Sequence, residues 1–376
     1  MTGDSSIDPE AEVIDSGSLA LPDYEQLDEP YPEPEPISYS GTDFDVEGLV
    51  RRLQRGDIVI PTFGHGDETV ETAGFQRDFV WRKPQMDRFI ESLLLGYPVP
   101  GILLVQQRDK RYLVLDGQQR LRTLGHFYEG THGSRVFSLQ NVANDFKGLT
   151  YKKLDSEQRR TLDNTFMQAI IVQTDGSPAS LESVYQIFER LNSGGTQLTA
   201  HEIRVALYAG KLIDFIAGLN EIPNWRALYG AKSPRLRDQE IILRIIALFV
   251  TPGRYRRPLK RFLNEFAGAN RDLSGLDTDA LTAGFNKACD CLLDGPGQSA
   301  FRFAGRQVNV ALTEAVMVAL LRRLEAGDPP ESAALTRALG ALLKDASFVE
   351  AITRATADDE RVKTRLARAT RTLASA

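Results

Sequence analysis

The sequence predicts an α/β (α+β) domain followed by an all-helical domain, and three observations support this prediction. Short apolar runs typical of strands alternate with helix-like spacing of apolar residues over residues 43–200. From residue 201 to residue 376 the spacing is helical throughout. The length of 376 residues also exceeds what one compact core normally holds.

The amino-terminal segment, residues 1–42, is predicted to be disordered. The first fifty residues carry fourteen acidic and no basic side chains. The remaining residues therefore have a net charge of +8, although the net charge of the whole chain is -6. The stretch "EPYPEPEPIS" is rich in proline and poor in spaced apolar residues. Two interpretations stay open: a solubilising tail, or an acidic segment that competes with nucleic acid for the basic body.

A cytoplasmic protein without a membrane partner is expected. The most apolar run, "IILRIIALFV", is ten residues long and is interrupted by Arg244, whereas a membrane span needs about 18 residues. The acidic amino terminus lacks the basic-then-apolar order of a signal peptide. Cys289 and Cys291 have no histidine after them, so buried thiols are predicted rather than a disulfide or zinc site, and no metal-binding residues are assigned.

Local patterns predict the elements that follow. The stretch "DVEGLVRRLQRGDIVI" is typical of a short helix and then a strand, and Pro84 suits the first turn of a second helix. That second helix has one apolar face, made of Met86, Phe89, Ile90, Leu93 and Leu94. The runs "GILLVQQ" and "RYLVL", joined by the polar residues 108–110, predict a hairpin of buried strands.

The stretch "RYLVLDGQQRLRTLGHFYEG" (111–130) predicts a strand, a turn and a helix with Leu121, Leu124 and Tyr128 on its buried face. Asp116 with Gln119 three residues later fits a capping box. A capping box does not explain Gly117, because glycine is unfavourable in a helix. It also does not explain Arg120 and Arg122, because cations are unfavourable near the amino end of a helix.

Gly117, Arg120 and Arg122 can be explained by an anion-binding site. Free backbone N–H groups at a helix start, a glycine that permits close approach and guanidinium groups together suit a phosphate. A plain structural turn is the alternative, and the residues alone favour neither.

Two helical stretches follow. "VYQIFERLNSGGTQLTAHEIRVAL" predicts two helices, the second begun by a capping box of Thr199 and Glu202, and "QEIILRIIALFV" predicts a buried central helix. In "GRYRRPLKR" (253–261), basic residues surround Tyr255, a pattern that suits a nucleic-acid backbone or a solvated loop equally. The candidate DNA-binding residues are Arg254, Arg256, Arg257 and Lys260.

Four stretches in order resemble one known family: "FQRDFVW", "DGQQRLRTL", "FERLNSGGTQLTAHEIR" and "RLRDQEIILRIIAL". They are similar to the amino-terminal domain of GmrSD-type, modification-dependent restriction enzymes, which has a ParB/sulfiredoxin-like nucleotide-binding fold. The resemblance covers roughly residues 45–250. It implies binding and hydrolysis of a nucleoside triphosphate, with Mg²⁺, at the "DGQQR" site, used to license cleavage of foreign or modified DNA.

The resemblance also assigns residues. Asp116, Gln119 and Arg120 would be catalytic, and Arg77, Gly117, Gln118 and Asn192 would bind the nucleotide. Arg122 joins the nucleotide-binding set through the anion-site argument above. Arg120 would hold phosphate oxygens in a fork that lysine cannot copy. Asp116 or Gln119 would orient water or the metal shell, and the sequence does not choose between them. Trp81 is expected to pack in the core more readily than to stack on a base.

The absence of two sequence motifs argues against two classes of enzyme. The sequence has no G-x-x-x-x-G-K-[ST] phosphate loop, which argues against ordinary P-loop chemistry. Residues 202–376 contain no histidine, so an HNH nuclease is not expected there, and His65 in "FGHGDE" is a weak metal candidate. Together with the resemblance, the sequence predicts a triphosphatase sensor that works on DNA with a separate nuclease subunit, and it leaves a homo-oligomer open. The alternatives are a non-enzymatic, nucleotide-gated DNA clamp and, less favoured, a phosphotransferase.

Overall fold

A computed structural model describes residues 36–60, 81–191, 199–233 and 235–376. The described residues fall into two compact units. An α/β unit contains residues 36–191 and 203–209, and a helical unit contains residues 199–202 and 210–376. The mixed α/β region followed by helices confirms the predicted fold class.

The α/β unit is built around a mixed five-stranded sheet. Its strands are β1 (Tyr39–Asp45), β2 (Ile58–Val59), β3 (Ile102–Gln106), β4 (Tyr112–Asp116) and β7 (Phe166–Gln173), and their spatial order is β1-β7-β3-β4-β2. Pairing is parallel between β3 and β7 and between β2 and β4, and antiparallel between β1 and β7 and between β3 and β4. A separate two-residue hairpin joins β5 (Thr131–His132) and β6 (Arg135–Val136).

Helices of this unit bury one apolar side against the sheet. They are α1 (Val46–Gln54), α2 (Lys83–Leu94), α3 (Gln118–Glu129), α4 (Ser156–Asp163) and α5 (Pro178–Leu191). All five apolar residues predicted for the face of α2 are buried, which confirms that prediction. The predicted hairpin is β3 and β4, and both strands are buried except at their ends. The five-stranded sheet and the helices α1 to α4 share one hydrophobic core.

The predicted disorder of residues 1–42 is wrong for its last residues. Residues 39–42 belong to β1, where Tyr39 pairs with Val172 and Thr42 with Ala169. The side chains of these residues are exposed, so main-chain hydrogen bonds to β7 hold the strand. The amino-acid composition shows only how many apolar residues a segment could bury, so it could not reveal main-chain pairing of this kind. Residues 1–35 lie outside the described part of the chain.

The helical unit confirms the prediction that the chain beyond residue 200 is helical. The first helix, α6 (Ala200–Leu207), has residues in both units. The helices that follow are α7 (Lys211–Asn220), α8 (Pro223–Tyr229), α9 (Arg237–Val250), α10 (Leu259–Ala269), α11 (Thr278–Asp294), α12 (Val310–Ala326), α13 (Ser332–Leu342), α14 (Ala346–Thr353) and α15 (Asp359–Ala374). In α9, residues 238–248 are all buried, as predicted for a central helix. Thr199 and Glu202 form the predicted capping box of α6 through reciprocal hydrogen bonds of 3.2 and 2.5 Å.

Buried ion pairs fasten the helical unit. Arg365 of α15 pairs with Glu314 of α12, and both side chains are almost completely buried. The two cysteines of α11 are free and buried, which confirms the prediction of buried thiols. Burial raises the pKa of both thiols. Within the residues described, none of the helices combines the length and the apolar character needed to cross a membrane.

Candidate anion-binding site at the start of helix α3

The turn between β4 and α3 holds the candidate site. Gly117 is the N-cap residue of α3 and adopts a left-handed conformation with φ of 95°. The first intrahelical hydrogen bond runs from Leu121 N–H to Gly117 O, at 3.0 Å. The amides of residues 118–120 precede that bond, so this turn presents backbone N–H groups at the positive end of the helix dipole.

The predicted capping box is wrong. The helix begins at Gln118, so Asp116 lies one position outside the cap and is the last residue of β4. Its carboxylate instead accepts a hydrogen bond from Nη2 of Arg120 at 2.7 Å. Gln119 accepts a hydrogen bond from the Trp81 backbone N–H at 3.3 Å rather than bonding back to Asp116. A glycine with positive φ shifted the start of the helix by one residue, which the capping pattern does not anticipate.

The Asp116–Arg120 pair explains how a cation is tolerated near the amino end of α3. Nη2 of Arg120 donates both to Asp116 Oδ2 and to the Gly101 carbonyl at 2.8 Å. The Arg120 side chain is 14% exposed, whereas that of Asp116 is 62% exposed. Nε of Arg120 is buried without a hydrogen-bond partner among the described residues. Arg120 is therefore mostly buried, and it joins the turn to the residue that precedes β3.

Gly117 is required by its surroundings. A Cβ atom at this position would lie 2.5 Å from Cγ2 of Ile102 and 3.3 Å from Nη2 of Arg120. The sequence could not show this contact, because Ile102 lies on the neighbouring strand. The glycine thus lets α3 start directly against β3, and it leaves the amides of the turn accessible to an anion.

The turn has the chemistry of a site for a phosphate together with a hard cation. The exposed carboxylate of Asp116 can bind a hydrated Mg²⁺, and the amides and Arg120 can bind phosphate oxygens. Among the residues described, no group of three His, Cys, Asp or Glu side chains could hold a metal ion by itself. A metal at this turn would therefore depend on the phosphate for further ligands, as Mg²⁺ commonly does.

Comparison with known families identifies this part of the chain. Residues 59–209 match the GmrSD restriction endonuclease, N-terminal domain. This segment is a GmrSD amino-terminal domain. Comparison with curated proteins and with solved structures found no significant match.

The GmrSD domain contains every residue predicted for the nucleotide site. The structure brings Asp116, Gly117, Gln118, Gln119 and Arg120 together in one turn, while Arg77 and Asn192 lie outside the described residues. The contact from Trp81 to Gln119 places the end of the "FQRDFVW" stretch beside this turn, and the Trp81 ring packs edge-on against Phe89 at 5.5 Å, as expected for a core residue.

Arg122 acts on a different part of α3. Arg122 is half-buried and lies one turn before His126. The pKa of His126 is lowered by burial first, then by the charge of His132, and then by the charge of Arg122. The rings of His126 and His132 meet edge-on at 4.9 Å. We expect His126 to stay neutral below the pH at which an exposed histidine becomes charged.

This lowered pKa makes the stability of the GmrSD domain depend on pH. Below a pH of about 6.5 the unfolded chain protonates His126 while the folded chain does not, so stability should fall as the pH drops through that value and level off below the folded pKa. NMR titration of the ring protons, assigned with a His126→Gln variant, should give a pKa below 6.5. A His126 pKa at or above 6.5 would contradict the burial of this ring in the structure.

The predicted DNA-binding residues lie beyond the GmrSD domain, in the helical unit. Arg254, Arg256 and Arg257 are exposed, and Arg257 pairs with Asp358 at 2.8 Å. Lys260 is only 5% exposed, a position that does not offer its ammonium group to a DNA backbone. The assignment stays a prediction for the three arginines.

Tyr255 does not fit the predicted role of an interleaved aromatic. It is 6% exposed, and its hydroxyl donates a hydrogen bond to the Ala357 carbonyl. Its ring packs edge-on against Phe262 at 5.2 Å. The aromatic residue of "GRYRRPLKR" therefore anchors the loop in the core and has no free face for a base.

Proposed function

We propose that the chain is the nucleoside-triphosphate-hydrolysing sensor of a DNA restriction system. The observation that carries this proposal is the turn at the start of α3, where unbonded amides, Arg120 and the exposed Asp116 carboxylate converge. Membership of residues 59–209 in the GmrSD amino-terminal family supports a role in restriction. The triphosphatase activity, the cofactors and the partners are parts of the proposal.

Each residue of the turn has a proposed role. The amides of residues 118–120 bind the reacting phosphates, and Arg120 stabilises the charge that grows on them in the transition state. Asp116 would hold a hydrated Mg²⁺, which would supply positive charge to neutralise the phosphates. Gln119 has its carbonyl oxygen bonded to Trp81, so we assign it a positioning role between the two stretches instead of the activation of water.

A non-enzymatic, nucleotide-gated DNA clamp is the second candidate function. It is favoured by the contacts of the two residues that would orient water, because Asp116 is paired with Arg120 and Gln119 with the backbone of Trp81. A clamp would bind nucleotide and release DNA without steady turnover. Hydrolysis therefore separates the two candidates.

The deciding experiment measures phosphate release from ATP, GTP, CTP and UTP, each with Mg²⁺, with and without duplex DNA. We expect steady release with at least one triphosphate and a change in rate when modified DNA is added. An Asp116→Asn variant is the control, because it removes the charge but keeps the shape. Stoichiometric binding without release would favour the clamp, and absence of both binding and release would contradict the proposal.

DNA is the proposed macromolecular partner, and the acidic amino-terminal segment should oppose its binding. Because residues 39–42 form part of the sheet, the deletion that tests this prediction should stop at residue 35. It removes eleven acidic and no basic residues. We expect tighter DNA binding at low salt and a shrinking difference as salt is raised, since salt screens both contacts. Unchanged affinity at low salt would make the segment a solubilising tail.

The chain alone is expected not to cut DNA, because a separate subunit supplies the nuclease. HNH chemistry needs a histidine to activate water beside a metal ion, and residues 202–376 contain none. The assay incubates purified protein with modified and unmodified DNA, Mg²⁺ or Mn²⁺, and each triphosphate. Cleavage that disappears in a His65→Ala variant would contradict the separate-subunit prediction.

A further inference from the structure

Helix α1 carries a cationic groove on the α/β unit that the proposed function does not use. The groove is an open pocket of about 260 Å³, lined by Phe44, Asp45, Gly48, Arg51, Arg52 and Arg55. Three of the six lining residues are arginines, and none is a lysine. The groove lies wholly within the α/β unit.

The single acidic residue of the lining is already engaged. Asp45 is the N-cap of α1, and its carboxylate accepts a hydrogen bond from Gly48 N–H at 2.6 Å. A Cβ atom at residue 48 would lie 2.8 Å from that carboxylate, so the glycine lets the cap close tightly. The carboxylate is held at the helix end, and the lining carries three guanidinium groups against this one carboxylate.

The other acidic neighbours of these arginines hold them weakly. Arg51 lies 3.9 Å from Glu47, and Arg55 lies 2.9 Å from Asp57; all four side chains are between 43% and 65% exposed. Neither Glu47 nor Asp57 lines the groove. Exposed pairs of this kind contribute little to stability, so a multivalent anion can compete for the guanidinium groups.

Arg52 is held differently from its two neighbours. Its guanidinium carbon lies 5.3 Å from the centre of the Phe44 ring, and Phe44 packs edge-on against Tyr112 of β4. An aromatic contact orients the planar fork without using its hydrogen-bond donors. Arg52 is therefore positioned to donate to the oxygens of a ligand.

We infer that this groove binds the phosphate backbone of a nucleic acid. Arginines four residues apart on a helix lie about 5–6 Å apart at Cβ, so the set offers several forks to successive phosphates and not one closed pocket to a small anion. Arginine also binds phosphate in a bidentate fork, which lysine cannot do. Contacts of this kind position DNA without reading its sequence.

The test compares two triple variants with the same loss of charge. In the first, Arg51, Arg52 and Arg55 are each replaced by glutamine; in the control, the exposed Arg88, Arg135 and Arg160 of the same unit are each replaced by glutamine. Binding of a short fluorescein-labelled duplex of arbitrary sequence is measured by anisotropy over a range of salt concentrations without nucleotide. Omitting nucleotide keeps the result independent of hydrolysis at the α3 turn, which is assayed separately.

We expect the groove variant to bind at least about tenfold more weakly at low salt than the control. Its salt dependence, as the slope of log K against log salt, should fall by about one unit for each lost phosphate contact. Unchanged circular dichroism for both variants ensures that the fold is intact. Equal affinity and slope in the two triple variants would overturn the inference. Displacement of the duplex by polyglutamate at equal charge concentration would also overturn it, because the groove would then be a site for acidic peptides.

Discussion

Replacing Arg120 with lysine should lower triphosphate hydrolysis by about a hundredfold. Lysine keeps the positive charge beside Asp116 but cannot donate in a fork to both the phosphates and the Gly101 carbonyl. Removing one donor that stabilises transition-state charge typically costs about 10² to 10³ in turnover. The measurement is steady-state phosphate release with the triphosphate that the wild-type protein prefers.

Lysine is a better probe than alanine at this position. Because the Arg120 side chain is 14% exposed and joins two strands to α3, alanine would also leave Asp116 and the Gly101 carbonyl without a partner. Arg88→Lys on α2 is the matched control, since Arg88 is exposed. A lysine variant that turns over as fast as the parent, with the control also unchanged, would place the hydrolytic site elsewhere.

Gly117→Ala should destabilise the α/β unit by about 2–5 kcal/mol. A non-glycine residue in the left-handed region costs about 1–2 kcal/mol, and inserting a methyl into a packed contact costs about 1–3 kcal/mol more. Both costs apply here, because φ is 95° and the new Cβ would meet Ile102 at 2.5 Å. Urea unfolding followed by a probe specific to this unit gives the difference.

The same helix provides the control for that substitution. Gly130 at the carboxyl end of α3 also has positive φ, 81°, but a Cβ there would meet nothing within 4 Å. Gly130→Ala should therefore show only the conformational cost, about 1–2 kcal/mol. Equal losses for the two variants would mean that Ile102 gives way and that packing does not require the glycine at residue 117.

The parts of the fold that were predictable are those specified by local sequence. Helix α2 and the β3–β4 hairpin follow from apolar spacing and a polar turn within a few residues. Strand β7 was missed although it lies between β1 and β3 in the sheet. Its apolar-rich sequence of strand length, "FMQAIIVQ", was a usable signal, whereas its pairing with β1 joins segments more than one hundred residues apart.

The candidate site was only partly predictable for the same reason. The four-residue spacing of Asp116 and Arg120 was a signal for their ion pair. The sequence also fits a capping box of Asp116 with Gln119, and that pattern was preferred in the prediction. Gly101 and Ile102, which fix Arg120 and Gly117, lie directly before β3 and at its first position, and they carry no motif. The three arginines of the groove on α1 were likewise interpreted only as part of a helix and its end, because the groove requires Phe44 from the preceding strand.

The central claim is that the phosphates of a nucleoside triphosphate bind at the turn of residues 116–120. Hydrogen–deuterium exchange with and without a non-hydrolysable triphosphate and Mg²⁺ tests the location directly and does not depend on turnover. The account predicts slower exchange of the amides of residues 118–120, which precede the first helical hydrogen bond and are otherwise poorly protected. Nucleotide binding confirmed by calorimetry, with protection confined to other segments and none in peptides that cover this turn, would contradict it.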